Sequence, residues 1–329
     1  MKESEIYCEL SDKELNELVE TALQTKMVSA RLLSGGLFNT TYLVNTEKYG
    51  KTVLRLGPVN RHLLMPFEHR LMEAEKYVYD LCTEHDIPVS KVLTMDLSKT
   101  LVDRDFMFVR YIPGFPLSEG NLTEPEKVCI YRDVGIATAK MHRITAPRFG
   151  RVAEVKNGGG FRLWSEALLH ELYEWEKVGI PASIFTVEEH DRIRFLFERA
   201  VPFLDEVKVP HLVHTDLWGG NILIGKNADI PEFAAIIDGD RALFGDPWFE
   251  FSSIQWTYGE ESFWEGYGSR LPEEPADRVR RSIYILLNRL WNAYVYLIEY
   301  NQPENAVREA NDARMKMEDL KEMFIVTYK

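Results

Sequence analysis

The chain has 329 residues, 45% apolar and 28% charged, enough for a buried core in one large or two modest domains and too apolar for a disordered chain. Thirty-nine Lys and Arg against 52 Asp and Glu leave a net charge of −13, a field that repels nucleic-acid phosphate and anionic membranes. Three cysteines (Cys8, Cys82, Cys129) share no metal-ligand spacing, no signal-length apolar segment follows Met1, and no run of about 18 apolar residues is present, so the chain reads as a cytoplasmic protein with reduced thiols and no membrane insertion. In chain order, residues 11–23 read as a helix. Ser11 caps it, Glu14 sits at the capping-box position, and Leu15, Leu18, Ala22 and Leu23 form its apolar stripe. Strands at 41–44 and 52–56 flank a polar turn containing Gly50, which predicts a hairpin. A helix over about 67–85 follows, then a second hairpin with strands at 91–95 and 106–111. Ile112-Pro113-Gly114-Phe115-Pro116 is a bend and the expected lobe boundary, dividing the chain into 1–111 and 112–329. Beyond it the pattern predicts helices near 124–143, 164–177 and 187–204, short strands around 214–238, and a helical, aromatic-rich tail from about 252. A strand-rich small lobe before a helix-rich large lobe leaves a cleft, where small ligands bind.

The chemistry concentrates in Leu212-Val213-His214-Thr215-Asp216-Leu217-Trp218-Gly219-Gly220-Asn221-Ile222. Two apolar runs bracket polar residues and a Gly-Gly, so Asp216 and Asn221 fall on an irregular loop between strands. Asp216 can orient and deprotonate a hydroxyl. Asn221 offers an amide oxygen to a hard cation. Seventeen residues later the apolar run Ala234-Ala235-Ile236-Ile237 ends in Asp238, where a carboxylate can face a cleft. An Asp and an Asn converging on Mg²⁺ beside a second Asp are the parts of phosphoryl transfer.

His214-x-Asp216-x4-Asn221, followed by Ile237-Asp238 and Gly245-Asp246-Pro247-Trp248, resembles the aminoglycoside phosphotransferase/choline kinase family, a branch of the protein-kinase-like fold. The resemblance implies an α+β bilobal fold, with a small antiparallel-sheet N-lobe and a larger, mainly helical C-lobe. It implies an ATP-dependent kinase (GTP being possible) that moves the γ-phosphoryl group to a hydroxyl of a small molecule. Asp216 would be the catalytic carboxylate, and Asn221 and Asp238 the Mg²⁺ ligands. Ser34, Gly35, Gly36, Phe38, Asn39 and Thr40 match the family's nucleotide loop, where small residues let backbone N–H groups approach phosphate. Arg55 stands at the position of the cation for the α- and β-phosphates. Its partner is a helix carboxylate, and Glu75 rather than Glu73 lies mid-face among Leu71, Met72, Val78, Tyr79 and Cys82. The strand 106–111 looks like the family's hinge, with the backbones of Arg110 and Ile112 meeting the purine. The resemblance covers roughly 28–253; the first 25 and last 75 residues carry no family motif.

Other residues admit two readings each. Trp256, Glu260, Glu261 and Trp264 could wall a site for a cationic or amino-sugar-like alcohol, or be packing beside a solvated acidic face. Asp240 could be a ligand or a solvated strand-end charge. His214 and Asp246 read as structural hydrogen-bonders, and Tyr284, Leu287, Trp291, Tyr294 and Ile298 as core at helical spacing. Choline/ethanolamine-type and fructosamine-type metabolite kinases are the alternatives on substrate, and a non-catalytic nucleotide-binding scaffold the alternative on activity. A protein kinase is disfavoured, because the catalytic stretch has no His-Arg-Asp.

Overall fold

A computed structural model describes residues 4–33, 37–228, 230–252 and 260–327. Helix α1 (Asp12–Leu23) begins at Ser11, whose hydroxyl accepts from the Glu14 amide while Glu14 accepts from the Ser11 amide at 2.9 Å. Strands β1 (Met27–Leu32), β2 (Thr40–Thr46) and β3 (Gly50–Leu56) follow, then α2 (Leu71–Glu84), β4 (Val92–Asp96) and β5 (Phe106–Arg110). These five strands form one antiparallel sheet in the order β1-β2-β3-β5-β4. Side-chain alternation splits the sheet's two faces. Tyr42, Val44, Leu54, Leu56, Phe106 and Phe108 pack under the Leu15, Leu18, Val19 and Leu23 stripe of α1. Met107 and Val109, on the opposite face, meet Met72 and Tyr79 of α2.

The edge strand β1 was not anticipated. Its burial is intermediate at both ends and exposed between them, so no apolar alternation marks it. The helix expected from 67 also starts differently: Pro66–Arg70 is a 3₁₀ turn and α2 begins at Leu71.

The larger, mainly helical part opens with β6 (Phe115–Pro116) and α3 (Glu124–Met141), and continues through β7 (Gly150–Arg151), α4 (Val152–Lys156), α5 (Trp164–Ala182) and α6 (Val187–Leu204). Next come β8 (His211–Val213), β9 (Ile222–Asn227), β10 (Ile230–Ile236) and β11 (Leu243–Gly245), and last α7 (Glu261–Tyr267), α8 (Pro275–Tyr294), a π-helical turn at Val295–Glu299, and α9 (Pro303–Thr327). Two small three-stranded sheets, β10-β9-β6 and β7-β11-β8, frame the Asp216 loop. The fold is therefore α+β and bilobal. Trp164, Trp175, Phe249 and Tyr284 centre the main core, and Leu287, Trp291 and Tyr294 join it as their spacing predicts. The lobes are stitched where the Ile236 amide donates to the Pro88 carbonyl at 2.9 Å, and where the Glu5 amide and the Ser4 hydroxyl donate to the Glu299 carbonyl.

Helices α3 and α7 touch backbone to backbone. A Cβ added at Gly135 would lie 2.2 Å from the Phe263 carbonyl oxygen, and one at Gly266 would lie 2.0 Å from that of Arg132. Neither neighbour is a side chain that can swing aside. Gly135→Ala is therefore expected to lower stability by about 1–3 kcal/mol, the usual cost of overpacking. Denaturant titration checks this: the midpoint falls with an unchanged slope, and an unmoved midpoint contradicts the contact.

Candidate active site

Strand β3 carries Arg55 inward, and the mid-face position of Glu75 on α2 carries its carboxylate to the same place. Arg55 Nη1 donates to Glu75 Oε1 at 2.7 Å, and the Glu75 side chain is fully buried. Tyr79, one helical turn on, donates its hydroxyl to the same oxygen at 2.6 Å and accepts from the Asp238 amide at 3.2 Å. Arg55 Nη2 donates to Asp238 and stands 3.5 Å from Asp240 Oδ2. One guanidinium thus serves three carboxylates whose ligand oxygens all lie within 4.8 Å of one another. Burial works to raise Asp238, but the Arg55 charge outweighs it and holds the carboxyl below its usual range. Asp240 has the opposite balance. Burial and then the neighbouring Asp238 charge push it well up. Burial likewise raises Glu75, against the pull of Arg55.

The second half of the site is the loop between β8 and β9. Glu250 is buried among the aromatic residues after Pro247 and accepts from the amides of His214 at 2.7 Å and Thr215 at 3.0 Å. His142 faces it at 3.4 Å, and that contact helps keep Glu250 below its usual range against burial. Thr215 adopts a left-handed φ of 70°, a conformation disfavoured for a β-branched residue, held here by those amide bonds and by its own hydroxyl on the Arg241 carbonyl at 3.1 Å. His214 is fully buried and bonds through Nε2 with the Ile237 carbonyl at 2.9 Å, which is the structural role its sequence setting indicated. The outcome is that Asp216 is presented beside Asn221, whose Nδ2 donates to the Asp216 carbonyl at 2.8 Å and to Oδ2 at 3.0 Å. The Asn221 carbonyl in turn accepts from the Ile237 amide at 2.9 Å, which ties the Asp216 loop to the residue before Asp238 and brings the Asp238 charge to bear on Asp216. Burial pushes the Asp216 carboxyl up to about 7, with Arg241 opposing and Asp238 adding to the rise.

The remaining sequence candidates scatter. Ser34, Gly35, Gly36 and Trp256 lie outside the described residues. Phe38 and Asn39 sit at the entry to β2, with the Phe38 ring 5.8 Å from the Arg241 guanidinium. Thr40 is buried and spends its hydroxyl on the Cys8 carbonyl at 2.9 Å. Arg110 needs a correction. Its amide donates to the Lys91 carbonyl at 2.8 Å and its carbonyl accepts from Ser90 Oγ at 2.6 Å, so its backbone is already committed to the sheet edge. Ile112, just past the strand, has no such backbone bond among the described residues. Of the expected wall, Trp264 belongs to packing, while Glu260 and Glu261 lie on the half-buried to exposed acidic face beside it. Trp264 is buried against Phe251 and Phe263, Glu261 pairs with Arg270, and the Glu260 charge acts on Tyr131 and Lys127 of α3. Asp246 accepts from the Trp248 amide and the Tyr284 hydroxyl, a structural cap.

Two groups near Asp216 carry no motif. Asp240 joins the carboxylate cluster, and the Asp-Gly-Asp spacing was its only sequence signal. Arg241 pairs with the fully buried Glu68 at 2.7 Å, and the Arg241, Tyr296 and Tyr300 side chains bring their charge or hydroxyl into the field of Asp216.

The family model for the phosphotransferase enzyme family (APH) matches residues 29–282. The chain belongs to this family. It is 28% identical over 182 residues to a chloroplastic protein-ribulosamine 3-kinase of Arabidopsis thaliana, a match covering 51% of each chain. It is 29% identical over 160 residues to viomycin phosphotransferase of Streptomyces vinaceus, covering 47% of this chain and 51% of that one. The match thus spans about half the length of these two curated relatives. A thermostable mutant of aminoglycoside phosphotransferase APH(4)-Ia superposes with a TM-score of 0.66 at 18% identity, over 92% of this chain and 98% of that one. The streptomycin–ATP complex of APH(2")-IIa gives 0.63 at 18%, over 94% and 97%. These two share the protein-kinase-like fold with this chain. Among the described residues no helix is long and apolar enough to cross a membrane.

Behind Arg241, Glu299 of the π-helical turn is buried against Glu68, and neither of its oxygens closes a hydrogen bond of ordinary geometry. Burial first, and Glu68 second, raise the Glu299 carboxyl well above the usual range. The folded state therefore holds a proton that the unfolded chain releases once pH passes the ordinary glutamate range, so stability falls as pH rises from there toward the raised value. Glu299→Gln removes that titration. Its melting temperature relative to wild type is expected to climb between pH 5 and pH 8; a flat difference would show that the pair carries no extra proton.

Proposed function

We propose that the chain is a small-molecule kinase that transfers the γ-phosphoryl group of ATP (GTP being the other candidate donor) to an acceptor hydroxyl. The observation that carries this reading is the meeting of Asp216 with Asn221, and of Asn221 with the segment bearing Asp238, in a chain of this family. Residues 1–111 hold the nucleotide and residues 112–329 hold the base and the acceptor. Ser34, Gly35, Gly36, Phe38, Asn39 and Thr40 line the nucleotide loop, and Ile112 offers its backbone to the base ring.

Asp238, with Asn221 and Asp240 beside it, would hold Mg²⁺. The donors are carboxylate and amide oxygens, and Asn221 turns its nitrogen to Asp216, leaving its oxygen for a cation. Bound there, the ion neutralises phosphate charge. Arg55, oriented by Glu75, places its charge against the α- and β-phosphates. Asp216 orients the acceptor oxygen for in-line attack and takes its proton. The Asn221 bond to Oδ2 fixes which carboxylate edge faces the hydroxyl. Catalysis comes chiefly from position and electrostatics, because little covalent work falls to the protein.

The acceptor is a small hydroxyl compound, with amino-bearing sugars and glycated amines first in line, given the relatives named for ribulosamine and viomycin. A cytoplasmic location is part of this proposal; three unpaired cysteines without a disulfide framework support it.

The test is a coupled ADP-release screen over aminoglycosides, choline-like amines, amino sugars and glycated amines. With an accepted substrate, Asp216→Ala is expected to lower turnover about 10²–10⁴-fold while the affinity for MgATP changes little. Near-normal phosphorylation by that variant removes Asp216 from its role. Nucleotide binding with no consumption across the whole panel favours a non-catalytic scaffold instead.

A further inference from the structure

We propose that Arg241 is a further catalytic residue, whose guanidinium receives the non-bridging oxygens of the phosphoryl group as it passes from nucleotide to acceptor. The inference rests on the kinase reading above and adds a group that no motif of the chain marks.

The backbone of Arg241 is fixed relative to the base. It closes the 3₁₀ turn Gly239–Arg241 that follows Asp238, and its carbonyl accepts from Thr215 Oγ1 at 3.1 Å and from Arg151 Nη1 at 2.7 Å. Thr215 is the neighbour of Asp216, so one hydrogen bond ties the backbone of the cation to the loop of the base. The side chain is aimed from behind. Glu68, itself fully buried, takes Nη2 at 2.7 Å, and the guanidinium stands 5.9 Å from the Phe67 ring and 5.8 Å from the Phe38 ring at the end of the nucleotide loop. Nη1 and Nε close no hydrogen bond among the described residues and are not sealed off, since the side chain is 21% exposed. Two donors of a rigid fork thus stay unspent among the described residues beside the Phe38 ring, the arrangement that suits a tetrahedral or planar oxyanion.

The distance to Asp216 favours a bridging group over a strut. Arg241 is the strongest positive influence on the Asp216 carboxylate, yet the two form no ion pair within 4.0 Å. A group set between base and cation would be reached by both, as an acceptor oxygen and the phosphorus approaching it require. Arg55 is less available for that charge. Its guanidinium already serves Glu75, Asp238 and Asp240. In the step itself, the acceptor oxygen forms a bond to Pγ and the bond from Pγ to the β–γ bridging oxygen breaks, its electron pair leaving with ADP. The hydroxyl proton goes to Asp216 and then to solvent. Midway, the three equatorial oxygens flatten into a plane over which the charge is spread, and a preformed guanidinium fork placed against that plane favours it over the ground state.

The test reads binding of a transition-state mimic, so it needs no identified acceptor. Wild type should bind MgADP, and aluminium fluoride should tighten that binding by calorimetry. In Arg241→Gln the affinity for MgADP alone should stay within about threefold, while the tightening by aluminium fluoride should fall by about 100-fold, the scale of one lost oxyanion donor. Arg241→Lys, which keeps charge and loses the fork, should fall between. Because Arg241→Gln leaves Glu68 buried without its partner, the double variant Glu68→Gln/Arg241→Gln serves as the second construction and should give the same loss. Guanidinium ion added to Arg241→Ala should restore part of the tightening, which a purely structural residue would not show. Retained tightening in the folded variants overturns the proposal, and so does loss of MgADP affinity itself, which would make Arg241 a ground-state nucleotide contact. A wild-type chain that binds no MgADP overturns the kinase reading rather than this assignment alone.

Discussion

The site is organised by a charge imbalance. Glu75, Asp238 and Asp240 place three carboxylates within a few ångströms, mostly out of water, and such a cluster is tolerable only with a cation inside it. Arg55 is that cation, and it comes from the other lobe than two of its partners. The small-lobe sheet therefore has to present one residue of β3 to the end of β10. The antiparallel register and the α2 packing on the Met107 face are the means by which it does so. Any second cation entering the cluster would compete with Arg55 for the same carboxylate oxygens.

Much of this was legible from residue order because the informative signals were local. An apolar run that stops at a carboxylate, or a Gly-Gly between two apolar strands, needs no knowledge of the tertiary fold. Glu75 could be separated from Glu73 because helical spacing alone decides which carboxylate faces the core. What escaped was set by contacts between distant segments. Strand β1 pairs along the sheet's edge and shows no apolar alternation. Glu68 and Glu299 are far apart in sequence and meet only in the folded chain, so neither carries a mark of its burial. The Arg110 backbone was expected to be free, yet Ser90 and Lys91, from the segment before β4, occupy it. Trp264 belongs to the same class. An aromatic residue among glutamates looks like a ligand wall until α3 and α7 close with glycine against backbone.

The loop bearing Asp216 obtains its shape from outside itself. Its own residues include a threonine at positive φ and two glycines, a poor basis for a fixed geometry. Glu250 supplies the constraint by taking two consecutive amides, and Glu250 in turn rests on His142 at the C-terminal cap of α3 and on the aromatic core. The Arg241 carbonyl anchors the same threonine from the opposite side. Rigidity at Asp216 is thus borrowed from the large core by way of one buried glutamate.

That borrowing separates two kinds of inheritance. The residues that hold the base in place are bolted to the interior, where a change is felt throughout the lobe. Segment 295–300, with Tyr296 and Tyr300, comes into the field of Asp216 without a hydrogen bond to its loop among the described residues. A substitution there alters the electrostatic surroundings of Asp216 while leaving the struts of its loop untouched.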